Sequence, residues 1–155
     1  MHYEHFPVIK VAPVRQLLSR PRQIVITTHH KPDGDAMGSS LGLYNFLKSK
    51  GHSVKVIVPS DYPEFLFWMP GHEDVEIFNS DDAHQVEMIL EAEVIFCLDF
   101  NWLNRTESME PILRKASGIK ILIDHHLDPE QAYDHVFSNT DACATAELIF
   151  QFIDT

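Results

Sequence analysis

The sequence predicts an α/β domain with a doubly wound, mostly parallel sheet and helices on both faces. Short β-branched runs alternate with segments of helical periodicity, which is the pattern of βαβ units. Two runs, 94–98 and 119–123, are apolar almost throughout, as central parallel strands covered on both faces are. At 155 residues the chain has the length of a single domain, so one sheet accounts for all of it.

The first βαβ unit is expected over residues 24–58. Its first strand covers 24–28, and a loop containing Pro and Gly comes next. Gly51 is placed to end the helix after that loop, and the second strand covers 54–58. The helix itself is predicted from apolar side chains that recur at helical spacing, namely Met37, Leu41, Tyr44 and Leu47.

Two further helices are expected. Residues 81–91 are typical of a helix with Val86, Ile89 and Leu90 on its buried side. The last helix covers about 142–153 and bears an apolar pattern. The sequence stops shortly afterwards without a capping residue, so we expect a longer natural protein.

One segment, residues 62–71, fits no regular element. It places Phe65, Phe67, Trp68 and Met69 between prolines. One interpretation is a loop whose aromatic side chains cover an edge of the sheet. The other is an exposed surface that binds a partner or stacks on nucleobases.

Acidic residues outnumber basic residues by 23 to 12, which gives a formal charge of -11. This balance argues against binding to double-stranded DNA or to an anionic membrane. The acidic excess either forms a solvated surface or includes a cluster that binds divalent cations, and the 10 histidines favour the cluster.

Cellular location is inferred from two features. Cys97 and Cys143 form no CxxC motif and no disulfide framework. The first ten residues lack the basic and then apolar pattern of an export signal, and no stretch reaches the roughly 18 apolar residues of a membrane span. We therefore expect an unexported, cytoplasmic protein.

Acidic and imidazole side chains come directly after three of the predicted strands. The first strand leads into residues 29–35, the third ends at Asp99, and the fourth ends at Asp124, His125 and His126. The carboxyl ends of parallel strands meet at one edge of an open sheet, where ligands bind. So many carboxylates and imidazoles together would repel one another or shift in pKa unless cations shared the charge.

The residue types indicate which cations fit. Mixed carboxylate and imidazole ligands favour Mn(II), with Mg(II), Co(II) or Fe(II) as competitors, and exclude an all-thiolate zinc site. Pro32 and Gly34 can turn Asp33 and Asp35 toward one centre, which His29 approaches from the strand end. Two ions about 3.5 to 4 Å apart are a usual arrangement for phosphoryl transfer.

Each of these residues also has a structural explanation. A strand-end carboxylate such as Asp99 often caps a helix, and Pro-Asp-Gly around Asp33 is a turn sequence whatever it binds. His29 and His125 could be hydrogen-bonded core histidines. For Asp124 we expect the structural role, that of orienting a neighbouring histidine.

The motif His29-x-x-Pro-Asp-Gly-Asp-Ala-x-Gly-Ser, followed by Asp99 and then by Asp124-His125-His126, resembles the DHH phosphoesterase superfamily. The closest resemblance is to the bacterial nano-RNase and 3'-phosphoadenosine-5'-phosphate phosphatase group. It implies that residues 1–155 form the catalytic, metal-binding domain. It also implies that a smaller C-terminal substrate domain, absent from this chain, belongs to the natural protein.

The resemblance further implies a dinuclear metal centre in which Asp99 bridges two ions. The remaining ligands would be divided between the ions, with His29 and Asp33 on one and Asp35 and His125 on the other. Asp99 and His125 are accordingly expected to be catalytic as well as metal-binding.

Other positions are implied to contact substrate or to complete the centre. His126 is the third expected catalytic residue and would face the scissile phosphate. Arg105 would bind a substrate phosphate, unless it forms a structural ion pair. Relatives place a metal-binding Asp shortly before the last helix, where this chain has Asn139. Either Asp141 supplies the carboxylate in a shifted register, or Asn139 binds weakly through its neutral oxygen.

The implied activity is hydrolysis of short single-stranded oligonucleotides or small nucleotides with two Mn(II) ions, Mg(II) or Co(II) being alternatives. A pyrophosphatase or exopolyphosphatase is the first alternative, because related proteins on this scaffold act on those substrates. A nucleotide-binding regulatory module with weak or no catalysis is the second. Homodimer formation stays open.

Overall fold

The computed structural model describes residues 6–155, which contain a single six-stranded sheet. Residues 1–5, on which part of the export expectation depends, lie outside this range. The strands are β1 (Gln23–Thr27), β2 (Ser53–Val58), β3 (Val75–Ile77), β4 (Val94–Leu98), β5 (Ile119–Asp124) and β6 (His135–Ser138). Their order is β3-β2-β1-β4-β5-β6, and every pairing is parallel. The predicted α/β class is confirmed.

Residues 6–155 contain five α-helices. They are α1 (Val8–Leu17), α2 (Gly34–Ser49), α3 (Ala83–Glu91), α4 (Glu110–Lys115) and α5 (Thr145–Asp154). Within residues 6–155, no helix combines the length and the apolar character that crossing a bilayer requires.

The winding of the sheet reverses at β1, which pairs with β2 on one side and with β4 on the other. Ligands of open α/β sheets bind in the crevice outside the carboxyl ends of the strands at such a reversal. The register pairs Thr27 with Cys97 and Cys97 with Leu122. The segments after β1, β4 and β5 therefore begin at the same level.

Two apolar clusters cover the two faces of the sheet. Alternate strand side chains such as Ile26 and Phe96 pack with α1, α2 and α5. Their neighbours Val25 and Ile95 pack on the opposite face, with α3 and α4. Every residue of β4 is buried, as its continuous hydrophobicity predicts.

The predicted helices are present, with corrected ends. The four apolar residues expected on α2 are buried, and Gly51 lies just beyond the helix with a φ of 87°, a conformation that favours glycine. The helix α3 begins at Ala83 because the Asp82 carboxylate accepts hydrogen bonds from the His84 and Gln85 N–H groups. The expectation for Leu90 is wrong, since its side chain is 37% exposed.

Other boundaries shift by a few residues. The first strand ends at Thr27 instead of residue 28, and α5 begins at Thr145 instead of near 142. Sequence reasoning missed α1, α4, β3 and β6. The two missed strands have three and four residues, which is too short for alternation to stand out.

The segment over residues 62–71 does not cover the sheet edge with its aromatic rings. Phe65 and Trp68 are 74% and 75% exposed, so that interpretation is wrong for both. The aliphatic Leu66 is buried instead. Leu66 anchors the short 3₁₀ helix Glu64–Leu66, and the rings of Phe65 and Trp68 face solvent.

Candidate metal centre

Asp99 lies at the middle of the crevice, directly after β4. Its side chain is almost fully buried, and each carboxylate oxygen faces a different histidine. Oδ2 is 3.5 Å from His29 Nε2, and Oδ1 is 3.5 Å from His125 Nε2. The backbone φ of Asp99 is 65°, a strained value for a residue with a side chain. In this conformation the carboxylate lies between His29, after β1, and His125, after β5.

The two histidines are oriented in the same way. His29 Nδ1 is 2.8 Å from the carbonyl oxygen of His30, and His125 Nδ1 is 3.3 Å from the carbonyl oxygen of Ala142. A carbonyl oxygen only accepts hydrogen bonds, so Nδ1 is the protonated nitrogen of each neutral ring. The Nε2 lone pairs of both rings consequently point at Asp99. Metal-binding histidines are held by such a hydrogen bond from their other nitrogen.

Lone pairs of nitrogen and carboxylate oxygen thus face each other on both sides of Asp99. Two acceptors in contact repel unless a proton or a cation lies between them. Ligand atoms about 2.1 Å from one ion are separated by about 3 to 4 Å, which matches the 3.5 Å distances to the two histidines. The donor set therefore fits divalent cations.

Asp33 joins the group on the His29 side, with its Oδ1 at 3.9 Å from His29 Nε2. The same oxygen accepts a hydrogen bond from the Ala36 N–H and caps α2. The side chain is 67% exposed. Capping occupies one lone pair, so the helix cap and a role in cation binding are compatible.

Asp35 belongs to the His125 side, with its Oδ2 at 3.7 Å from His125 Nε2. Both of its carboxylate oxygens also accept hydrogen bonds from the start of α5, from the Thr145 and Ala146 N–H groups at 2.9 Å. Asp35 thus caps a helix that lies 110 residues later in the chain. Oδ1 also accepts a hydrogen bond from the Ser39 hydroxyl at 3.4 Å. Oδ2, which faces His125, is therefore the oxygen that keeps a lone pair for a cation.

Thr145 connects α5 to the centre a second time. Its hydroxyl donates to Asp99 Oδ1 at 2.9 Å, and the residue is fully buried. Sequence reasoning did not identify Thr145. Threonine is a common residue at helix starts, so nothing in the sequence distinguished this position from an ordinary helix start.

The protonation behaviour of the three central groups reflects their contacts. The Asp99 carboxylate raises the pKa of His29 more than burial lowers it. Burial alone would raise the pKa of Asp99, but its contacts with His29 and Thr145 outweigh burial and lower it. Burial raises the pKa of Asp35 despite the N–H groups of α5. Without a cation, protons therefore compete for two of the ligand positions.

His126 is held by Asp124, as expected for that residue. The buried Asp124 carboxylate accepts from His126 Nδ1 at 2.7 Å and from the His126 backbone N–H at 3.1 Å. The other ring nitrogen of His126, Nε2, takes no part in the contact with Asp124. The expectation that Asp124 orients its neighbour is confirmed.

Two sets of three side chains within residues 6–155 bring their ligand atoms within 4.8 Å of one another. Asp99 is common to both. One set adds His29 and Asp33, and the other adds His125 and His126. Four of the side chains expected at the ends of three strands, His29, Asp33, His125 and His126, are therefore together around the Asp99 carboxylate, and Asp35 belongs to neither set.

The remaining predicted site residues lie at the margin. Asp141 is exposed and belongs to neither set. Its backbone N–H donates to Asn139 Oδ1 at 2.9 Å, which turns the amide oxygen toward the loop. Arg105 is exposed, and its carbonyl oxygen accepts from the His30 N–H at 2.8 Å. That hydrogen bond fixes the Arg105 backbone beside the centre.

Comparison with known families supports the interpretation of the motifs. Residues 23–155 match the DHH family, N-terminal domain. The chain belongs to the DHH family. The match includes every residue of the metal centre.

Two relatives are similar over most of this DHH chain. The bifunctional oligoribonuclease and PAP phosphatase NrnA of Thermus thermophilus is 34% identical over 145 residues, which is 93% of this chain. An exopolyphosphatase-related protein from Bacteroides fragilis is 41% identical, with a TM-score of 0.94 over 99% of the chain. The chain spans only 40% and 45% of these two proteins.

A more distant structure shares the fold alone. The exonuclease RecJ from Thermus thermophilus, solved in complex with Mn2+, is 16% identical, with a TM-score of 0.55. The match covers 97% of this DHH chain and 21% of RecJ.

Proposed function

We propose that this DHH protein is a metal-dependent phosphoesterase that hydrolyses short oligonucleotides or small nucleotides. The observation that supports this most directly is the Asp99 carboxylate between two histidines whose Nε2 atoms face it at 3.5 Å. A shared carboxylate with ligands on both sides is suited to two ions. The family match and the NrnA relatives support the same activity.

The proposed ligands are divided between the two sides of the centre. His29 and Asp33 would hold the first ion, Asp35 and His125 would hold the second, and Asp99 would contribute to both. Mn(II) is the proposed metal, with Mg(II) or Co(II) as alternatives, because the donors are carboxylates and imidazoles. When bound, two divalent cations neutralise phosphoryl charge and lower the pKa of a water nucleophile.

One further ligand position lies after β6. We propose that Asp141 supplies a carboxylate there, and Asn139 is the alternative. The loop that contains both residues is attached to the end of β5, because the Asn139 N–H donates to the Asp124 carbonyl oxygen at 3.2 Å, and the Asp141 N–H donates to Asn139 Oδ1.

The chain's own residues position the substrate. His126 is held by Asp124 with its Nε2 free of that contact. In its imidazolium form it donates Nε2–H to a phosphoryl oxygen, and Asp124 balances the charge. Arg105, fixed beside His30, provides a guanidinium for a second phosphoryl oxygen.

The test is hydrolysis of a dinucleotide, of a pentanucleotide and of 3'-phosphoadenosine-5'-phosphate by the whole natural protein that contains this chain. Activity is expected with added Mn(II) and is expected to disappear on chelation. Substrate with Mn(II) alone is the control. Failure to hydrolyse any of the three in Mn(II), Mg(II) or Co(II) contradicts the proposal.

A second substrate class is favoured by one comparison. The Bacteroides fragilis protein that matches 99% of this chain is described as exopolyphosphatase-related. Pyrophosphate and polyphosphate contain phosphoanhydride rather than phosphoester bonds, but both kinds of bond are broken by the same in-line attack on phosphorus. Release of orthophosphate from these substrates, without hydrolysis of a dinucleotide, would favour this activity. Nucleotide binding without turnover in any metal would favour a regulatory module instead.

A further inference from the structure

A groove of about 480 Å³ opens beside the His29 side of the metal centre. One wall is the loop 31–34, and the other is the loop 61–65. Asp33, a proposed ligand of the first ion, lines the groove. The groove therefore adjoins the metal centre at Asp33, and a molecule whose phosphate binds at the centre can extend toward it.

The two walls are held together before any ligand binds. The Ser60 hydroxyl oxygen accepts a hydrogen bond from the Lys31 N–H at 2.7 Å. Leu66 is buried against Gly34, with its Cδ2 3.9 Å from the position that a Cβ would occupy. A preformed groove lowers the ordering cost of binding.

The exposed ring in this groove is that of Phe65. Its neighbours stabilise the loop locally, because Phe67 stacks on His72 with ring centroids 5.1 Å apart and Tyr62 meets Phe67 edge to face. Phe65 has no such role, and it is 74% exposed on a wall that also contains Tyr62 and Pro63. A large exposed ring beside a binding site is suited to stacking on a flat ligand.

The charges select the part of a nucleotide that fits. Asp33, Asp61 and Glu64 line the groove with only Lys31 as a positive group. This balance repels a second phosphate but not an uncharged ring, and carboxylates accept hydrogen bonds from ring N–H and amino groups. A nucleobase combines the flat surface with those donors.

We infer that this groove is a nucleobase subsite, in which a base of the substrate stacks on Phe65 while its phosphate lies at the metal centre. The inference rests on the proposed function and adds to it a position for one base. Trp68 is equally exposed on the same segment but does not line the groove, so it provides a matched control.

The experiment measures steady-state kinetics of Phe65→Ala and Trp68→Ala in the whole natural protein with Mn(II). The substrates are an adenine dinucleotide and two derivatives, each lacking one of the two bases. Phe65→Ala is expected to raise KM for the intact dinucleotide by about tenfold with little change in kcat, because base stacking is lost. For one of the two abasic derivatives, Phe65→Ala is expected to leave KM unchanged. Trp68→Ala is expected to leave KM unchanged for all three.

Three results would overturn the subsite. The first is an unchanged KM for the intact dinucleotide in Phe65→Ala. The second is an equal rise in KM for all three substrates, which indicates a general structural defect. The third is a loss of self-association in both variants without a change in KM, which assigns the exposed rings to a protein interface.

The subsite and the proposed function fail in different ways. Should the wild-type protein hydrolyse none of the substrates, the proposed function fails, and calorimetric titration with AMP and Mn(II) still tests the groove. Weaker AMP binding by Phe65→Ala than by Trp68→Ala supports the subsite, and equal binding overturns it. Normal turnover with an unchanged KM in Phe65→Ala overturns the subsite and leaves the proposed function intact.

Discussion

The two sides of the metal centre are built in different ways. On the first side, His29 and Asp33 come from one continuous loop, and only Asp99 is added from elsewhere. On the second side, Asp35 and His125 come from separate elements. The Asp35 carboxylate is also committed to the start of α5. The first side is thus a local motif, whereas the second depends on how α5 packs.

This difference shows that the ligands on the second side are held in place by one helix, α5. The N–H groups of α5 bind Asp35, and the Thr145 hydroxyl binds the shared Asp99. Buried polar contacts of this kind fix side-chain orientation because leaving any of them unpaired costs free energy. The second side should therefore respond to changes in α5 that leave the first side intact.

The largest effect is expected from the residue common to both sides. Asp99→Asn keeps the shape of the side chain but removes the charge shared by the two ions. We expect turnover of the dinucleotide to fall by at least about a thousandfold. Circular dichroism should show the wild-type fold, and calorimetry should show weaker binding of both ions. Retention of more than a tenth of the activity would contradict the bridging role.

A pH series compares proton competition on the two sides. The pKa of His29 is raised by Asp99 and that of Asp35 by burial. Each group therefore holds its proton to a higher pH than usual, and each must lose it to bind a cation. We expect Mn(II) affinity to fall as pH decreases through the raised pKa of each group, and the fall approaches about tenfold per proton for each unit of pH below that pKa. Calorimetry in buffers of different ionisation enthalpy counts the protons released, and a flat affinity would contradict the assignment.

Thr145 tests whether α5 positions the shared carboxylate. Thr145→Val removes the hydroxyl that donates to Asp99 and retains the shape, whereas Thr145→Ser retains the hydroxyl. We expect Val to weaken Mn(II) binding by about tenfold and Ser to restore it. The melting temperatures of the two variants provide the control for folding. Equal Mn(II) affinities in the two variants would show that the contact has no role in positioning.

Local hydrogen exchange can separate the two helix caps in the metal-free protein. Asp35→Ala removes the acceptors for the Thr145 and Ala146 N–H groups, while Asp33→Ala removes the acceptor for Ala36. A lost cap costs about 1 kcal/mol, so protection at the affected amides should fall by about fivefold. Asp33→Ala should leave the start of α5 unchanged, because Asp33 makes no hydrogen bond to that helix among residues 6–155. Faster amide exchange at the start of α5 in Asp33→Ala would show that the start of α5 depends on the cap of α2, which contradicts the separation of the two sides of the metal centre.

The smallest effect is expected after β6. Asp141 is exposed, so solvent screens its interaction with the second ion. We expect Asp141→Ala to weaken binding of that ion by about threefold, with Asn139→Ala as the matched variant. If Asn139→Ala weakens binding and Asp141→Ala does not, Asn139 occupies the ligand position.

Much of the fold was predictable because its signals are local. The apolar runs of β4 and β5 and the helical spacing of α2 predicted the central elements. Short elements with few side chains, such as β3 and β6, gave no comparable pattern. The exposed position of Phe65 was also left open, because it depends on Leu66 being the residue that anchors the segment.

By itself, the sequence determined the chemistry of the site. Its histidines and carboxylates stand directly after strands, and the carboxyl ends of parallel strands lie at one edge of the sheet. Only the tertiary structure decided which lone pairs face Asp99 and which helix binds Asp35. Those contacts join residues as far as 111 positions apart. They result from the packing of α5, for which the spacing of residues along the chain provides no signal.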